Sequence, residues 1–149
     1  SHFIKSILSK IIFIHSSKSI SKLILSCRKF IYFDYAFVYL KDPENINMIS
    51  ENDIKPKLSF KLTTLLKEID ITIPYIFNNI NSNDVSQKLL NNVDGINSIV
   101  NQPIFVNKNY IGSLIFLNKS NSGYSNEVLD ITNDISNKIL IILQYFRIE

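Results

Sequence analysis

Apolar residues recur along this chain with two periods, and the change from one to the other marks its elements. In the stretch INSIVNQPIFVNKNYIGSLIFL, from Ile96 to Leu117, the apolar positions Val100, Ile104, Val106, Ile111, Leu114 and Phe116 are mostly β-branched or aromatic. Such residues suit a half-buried pleated surface. We read two strands here, joined by a tight turn at Asn107-Lys108-Asn109, because asparagine tolerates the positive φ that a short hairpin link demands. Pro103 lacks an N–H and is expected at a strand start, an edge or a bulge. Gly112, inside the second run, marks a bulge or a close backbone approach.

Upstream the period is helical. Phe3/Ile4, Ile7/Leu8 and Ile11/Ile12 form one stripe and predict a helix from His2 to about Phe13. His15-Ser16-Ser17 interrupts the stripe with residues that favour caps and turns. A second helix then presents Ile20, Leu23, Ile24, Cys27 and Ile31 on one face, with Ser17 or Ser19 as its cap. Tyr32–Leu40 alternates Tyr35, Phe37 and Tyr39 with Ala36, Val38 and Leu40; both sets are apolar, which predicts a central strand covered on both faces. Asp42-Pro43-Glu44-Asn45 closes it as a turn, and Met48 to Pro56 reads as loop.

The middle of the chain is less regular. We expect a strand at Leu58–Leu62, a short helix at Thr64–Ile69, and an edge or irregular strand at Ile71–Phe77 around Pro74. Asn81-Ser82-Asn83-Asp84 turns and caps a short helix from Val85 to Asn92, and Asp94-Gly95 turns again before the hairpin. A long helix from about Asn126 to Phe146 closes the chain. Its buried stripe is Val128, Ile131, Ile135, Ile139, Ile142 and Phe146, and Ser125 is its cap. This order predicts an α+β domain: a central antiparallel sheet with the N- and C-terminal helices on one face and the crossover helices and loops on the other.

Composition narrows the picture. A chain of 149 residues reads as one domain burying roughly 68–70% of its unfolded surface. We divide it into an N-terminal helix at 1–16, which serves as a signalling-helix extension, and a core at 17–146. An apolar share of 46% argues against disorder. The net charge is only +3 and the lysines are scattered, so a nucleic-acid partner is not expected. No apolar run approaches the ~20 residues of a membrane span, so no membrane partner is expected either. One cysteine excludes an intrachain disulfide framework and fits a reducing, cytoplasmic setting. A chain that opens on Ser1 rather than Met reads as a piece of a longer protein.

Candidate chemistry is sparse. His2 and His15 have no Cys, Asp or second His at metal-ligand spacing, and Cys27 sits on an apolar stripe as a small hydrophobe. Glycines 95, 112 and 123 cannot build a phosphate cradle, and Asp42 and Glu44 lie in a turn. No catalytic residue and no metal ligand is assigned, and the sequence leaves the cofactor unknown.

The segment Ser98–Leu117, the loop Asn118–Gly123 and the opening Tyr124-Ser125-Asn126-Glu127 together resemble the end of a GAF domain. In that family a strand ending in Pro and an aliphatic residue leads to a polar turn and a Tyr/Val-Ile-Gly strand. A Gly-containing loop, an aromatic-Ser helix start and a long closing helix follow. The resemblance runs from about Ser17 to Phe146 and is weakest between Met48 and Asn92. It implies a regulatory sensor module of bacterial signalling proteins, such as histidine kinases, cyclic-dinucleotide enzymes or transcriptional activators. The PAS architecture is the alternative fold, but it lacks the long helix after the final strand.

Three activities of the family are not expected here. Covalent bilin attachment uses a crossover Cys, absent from this chain, and reduction of free methionine sulfoxide uses several cysteines. Cyclic-nucleotide members carry Asn-Lys, a Phe and an acidic pair. Asn118-Lys119 and Tyr124 match loosely, but Val128-Leu129 stands where the acidic pair belongs. The resemblance further implies a small ligand on the sheet face opposite the terminal helices. Tyr35, Phe37 and Tyr39, with Tyr75, Phe77, Asn101 and Phe116 from neighbouring strands, are the candidate lining. Two function classes follow: a small-molecule sensor that controls an effector domain, and a ligand-free dimerisation module with a sealed core. In either case a homodimer through the terminal helices is expected, with Phe13, Ile14, Ile141 and Phe146 left over for its seam.

Overall fold

The computed structural model describes residues 16–41, 44–49, 71–78, 95–120 and 122–145, with residues 44–49 described by their backbone. The helix expected at 2–13, the elements expected between 50 and 69, and the turn and helix expected at 81–92 lie outside those residues.

Among the described residues five antiparallel strands form one sheet: β1 (Tyr35–Lys41), β2 (Glu44–Ile49), β3 (Tyr75–Phe77), β4 (Ser98–Val106) and β5 (Asn109–Asn118), in the order β2-β1-β5-β4-β3. The predicted hairpin is β4–β5, but its link is shorter than expected. Val106 pairs directly with Asn109, which leaves a two-residue turn in which Asn107 (φ 50) and Lys108 (φ 68) are both left-handed. That turn twists with the strands it joins. Asn109, read as part of the turn, is the first residue of β5.

Gly112 answers to the second of its two readings. A Cβ there would overlap the Tyr39 carbonyl oxygen of β1, so the absence of a side chain is what lets β1 and β5 lie side by side. Pro103 lies within β4, opposite Ser113. Pairing with β3 stops at Asn101, so Pro103 sits where β4 has lost one neighbour, and the ladder slips between Ile104 and Phe105 just beyond it.

Three expectations change. The strand read as central is second from an edge, and β5 holds the centre. Glu44–Ile49, read as turn and loop, is the edge strand β2. Asn45 and Asn47 weaken its strand propensity, and pairing with β1 from Lys41↔Glu44 to Ala36↔Ile49 overrides it. Residues 16–26 are helical (α1), so Ser17 and Ser19, read as alternative caps, both lie inside the helix. The apolar stripe outweighs serine's modest helix propensity.

α1 ends in a 3₁₀ turn at Cys27–Lys29. The closing helix, α2 (Val128–Tyr145), begins where the Val128 amide donates to the Ser125 carbonyl at 3.0 Å. Both helices cover one sheet face. Ile20, Ile24, Cys27 and Ile31 meet Val128, Ile135 and Ile139 over Ala36, Val38, Val100, Ile104, Leu114 and Phe116. Of the stripe read from the sequence, Ile131 and Ile142 are half-buried and Phe146 is outside the described residues. Thr132 and Ser136 are buried in their place. Their hydroxyls have the carbonyls of Leu129 (3.1 Å) and Asn133 (2.7 Å) within reach, which lets polar residues sit on an apolar face.

Candidate functional site

Strand alternation sorts the predicted lining. Tyr35, Phe37 and Tyr39 of β1 share the face turned away from the helices with Ile115 and Leu117 of β5, Ile99 and Asn101 of β4, and Tyr75 and Phe77 of β3. Six of the seven candidates are thereby brought to one surface. Phe116 is the correction. It pairs with Ala36 and Val100, so its ring lies on the helix-covered face, 5.1 Å from that of Phe33. Its neighbours in β5, Ile115 and Leu117, face the other way for the same period-2 reason.

Burial along this face is graded. Tyr35 and Phe37 are buried, Tyr39 and Tyr75 half-buried, and Phe77 is exposed at the β3 edge, its ring 4.8 Å from that of Tyr75. At the Tyr35 end the Lys119 ammonium stands 5.3 Å from the tyrosine ring centre.

A polar knot lies in the middle of the face, and only one of its members was visible in the sequence. The Asn101 amide donates to the carbonyls of Ile71 (3.1 Å) and Ile73 (2.8 Å). The Ser113 hydroxyl donates to the same Ile71 carbonyl at 2.8 Å. Its single hydrogen is thus engaged, so the Tyr110 hydroxyl, 2.6 Å away, donates to Ser113. These bonds consume the donors of Asn101 and fix its orientation, with Oδ1 left as the free end. Asn101 is fully buried, and Oδ1 has no partner among the described residues. No charged side chain is buried among the described residues, and no group of His, Cys, Asp or Glu there could hold a metal ion. Ser113 and Tyr110 were missed because hydroxyls on a strand carry no spacing signal; only the fold brings Ile71 across to them.

A second polar cluster ties the sheet's exit to the helices. The Asn78 side chain, just after β3, donates to the Tyr124 carbonyl at 2.7 Å and accepts the Tyr124 amide at 2.8 Å, as a neighbouring strand would. The Tyr124 hydroxyl donates to the Tyr32 carbonyl at 2.9 Å. Burial, with the nearby Asp34 and Tyr32, pushes the Tyr124 phenol well above its ordinary value; Tyr32 is raised by its own hydrogen bond to Asp34. On the helix face a groove of about 620 Å³ lies between the hairpin tip and the C-terminal half of α2, lined by Leu40, Ile111, Leu140 and Leu143 among others. No local pattern of residues points to it.

Solved structures place this architecture. A GAF domain/HD domain protein from Geobacter sulfurreducens superposes with a TM-score of 0.60 at 15% identity, over 88% of this chain and 93% of that one. The GAF domain of a two-component sensor histidine kinase from Bacillus halodurans gives 0.58 at 14%, over 85% and 91%. The fold is that of a GAF domain. A type II free methionine-R-sulfoxide reductase from Thermoplasma acidophilum is also similar, at 0.56 and 15% identity over 95% of this chain and 98% of that one. No family model matches the chain, and no curated protein sequence does. The GAF-like arrangement sets two helices on one face of the sheet and leaves the Asn101 face on the other.

Proposed function

We propose that residues 1–149 form one non-catalytic sensor domain. It holds a small neutral molecule against the sheet face opposite the helices and reports occupancy through α1 and α2 to an effector in a larger signalling protein. The carrying observation is Asn101: buried, its two donors engaged, its Oδ1 with no partner among the described residues. A buried acceptor without a donor is costly, and a ligand N–H or O–H would satisfy it. Tyr35, Phe37, Tyr39, Tyr75 and Phe77 offer flat apolar walls around it. The likeness to a sensor histidine kinase's GAF domain supports the same role.

The likeness to a methionine sulfoxide reductase raises an enzymatic reading, which Cys27 argues against. It is the chain's single cysteine, and it packs in the helix-side core rather than on the Asn101 face. Thiol chemistry at that face would need a residue the chain lacks.

The second reading, a ligand-free dimerisation module, is favoured by the complete burial of Phe37, Ile115 and Leu117. A thermal-shift screen of nucleotides, haem, amino acids and organic acids separates the two. A ligand at one hundred times its dissociation constant adds about 2.7 kcal/mol of apparent stability. We expect a response that Asn101→Leu abolishes. Silence across the panel supports the sealed module.

A further inference from the structure

β4 carries two buried polar side chains in succession, and alternation turns them to opposite faces. Asn101 belongs to the candidate ligand face. Gln102 lies on the helix face, where its Oε1 accepts the hydroxyl of Thr132, a fully buried residue of α2, at 2.9 Å. The Thr132 hydroxyl has one hydrogen and two acceptors in reach, Gln102 Oε1 and, at 3.1 Å, the Leu129 carbonyl of its own helix. It therefore has two discrete arrangements, one bonded across to the sheet and one within α2.

The support of the strand changes at this point. The β3–β4 ladder ends at Tyr75↔Asn101, and among the described residues Gln102 and Pro103 pair only with Leu114 and Ser113 of β5. Pro103 brings no N–H to any ladder. One peptide unit thus joins the Asn101 amide to the polar contact that ties β4 to α2, where the strand passes from two-sided to one-sided support.

We propose that Gln102 and Thr132 relay the state of the Asn101 acceptor through the sheet to α2, so that engagement of Asn101 Oδ1 biases the Thr132 hydroxyl between strand and helix. The relay rests on the ligand-face reading above and assigns that site its route of regulation. The shift it produces is a change in the population of two packings of α2.

A double-mutant cycle in the full chain, read by denaturant unfolding, tests the relay. Asn101→Ala and Thr132→Val are expected to be non-additive by about fivefold or more in the unfolding equilibrium, the lower bound of allosteric coupling. Thr132→Ser should retain the coupling, and a Gln102→Leu background should abolish it. The control pair, Asn101→Ala with Ser136→Ala, should add within about twofold, as uncoupled sites do. Additivity of Asn101 with Thr132, or equal coupling of Asn101 with Ser136, overturns the relay. If Asn101→Ala does not fold, Asn101→Ser is read by amide exchange. We then expect faster exchange at residues 132–136, removed by Thr132→Val, and unchanged rates overturn the proposal. The cycle uses no ligand and the thermal-shift screen uses no α2 variant. An additive cycle with a responding screen overturns the relay alone; a coupled cycle with a silent screen overturns the binding reading alone.

Discussion

Two residues show how the hairpin is held, and each makes a prediction. Lys108 adopts φ 68 with a side chain that disfavours it, at the second position of a turn where glycine is the preferred residue. Lys108→Gly should therefore stabilise the domain, by about 0.5–1 kcal/mol after glycine's own entropic cost. Urea unfolding midpoints would measure it, and a lower midpoint for the variant would contradict the turn geometry. Gly112 is the opposite case. Any β-carbon there meets backbone rather than a flexible side-chain end, so Gly112→Ala should destabilise by about 1–3 kcal/mol. A variant within error of the parent would mean that β1 and β5 are not in contact there.

Between elements, Tyr124 joins the loop before α2 to the segment after α1, and pH can read that junction. Its folded pKa is raised above the unfolded value of 10.0 by burial first. The unfolded chain therefore loses the phenol proton near pH 10 while the folded chain keeps it. Stability is fully present below pH 10 and falls as pH rises above it, by up to ~1.4 kcal/mol per pH unit for this one group. Tyr124→Phe should flatten that fall relative to the parent in alkaline unfolding curves. Parallel curves would place the phenol in water.

What the sequence made legible follows the same scale. The β4–β5 hairpin and α2 are readable because their apolar periods are long. So is the division of β1 into a helix-facing set (Ala36, Val38, Leu40) and an opposite set (Tyr35, Phe37, Tyr39). β2 was hidden because its partner strand, not its own composition, makes it a strand. The Thr132 and Ser136 positions of the α2 stripe are hidden because acceptors on β4 and on the helix itself, which only the fold supplies, satisfy their hydroxyls. Phe116 lies on the helix face because its parity follows its pairing with Ala36, which no local pattern reveals.

At the scale of the whole molecule, one side of α2 faces the sheet and the other presents apolar residues outward. Ile141 and Tyr145 are 65% and 82% exposed, whereas Ile142 packs against the core. If the domain pairs through its terminal helices, Ile141→Glu with Tyr145→Glu should convert dimer to monomer in sedimentation velocity with the melting profile of the monomer retained. Ile142→Glu should instead destabilise the monomer itself, because it buries a charge. An unchanged sedimentation coefficient in the double variant would place any interface elsewhere.

Binding of a neutral small molecule to the Asn101 face is the proposal on which the sensor role stands. The most direct measurement is a ¹⁵N–¹H titration of the intact chain with compounds from the thermal-shift panel, following the Asn101 side-chain amide and the backbone amides of β1, β4 and β5. Binding there should give saturable shifts at Asn101 and around Tyr35, Phe37 and Tyr39, lost in Asn101→Leu. Shifts confined to the helix-side groove near Leu140 and Leu143, or indifferent to Asn101→Leu, would contradict it.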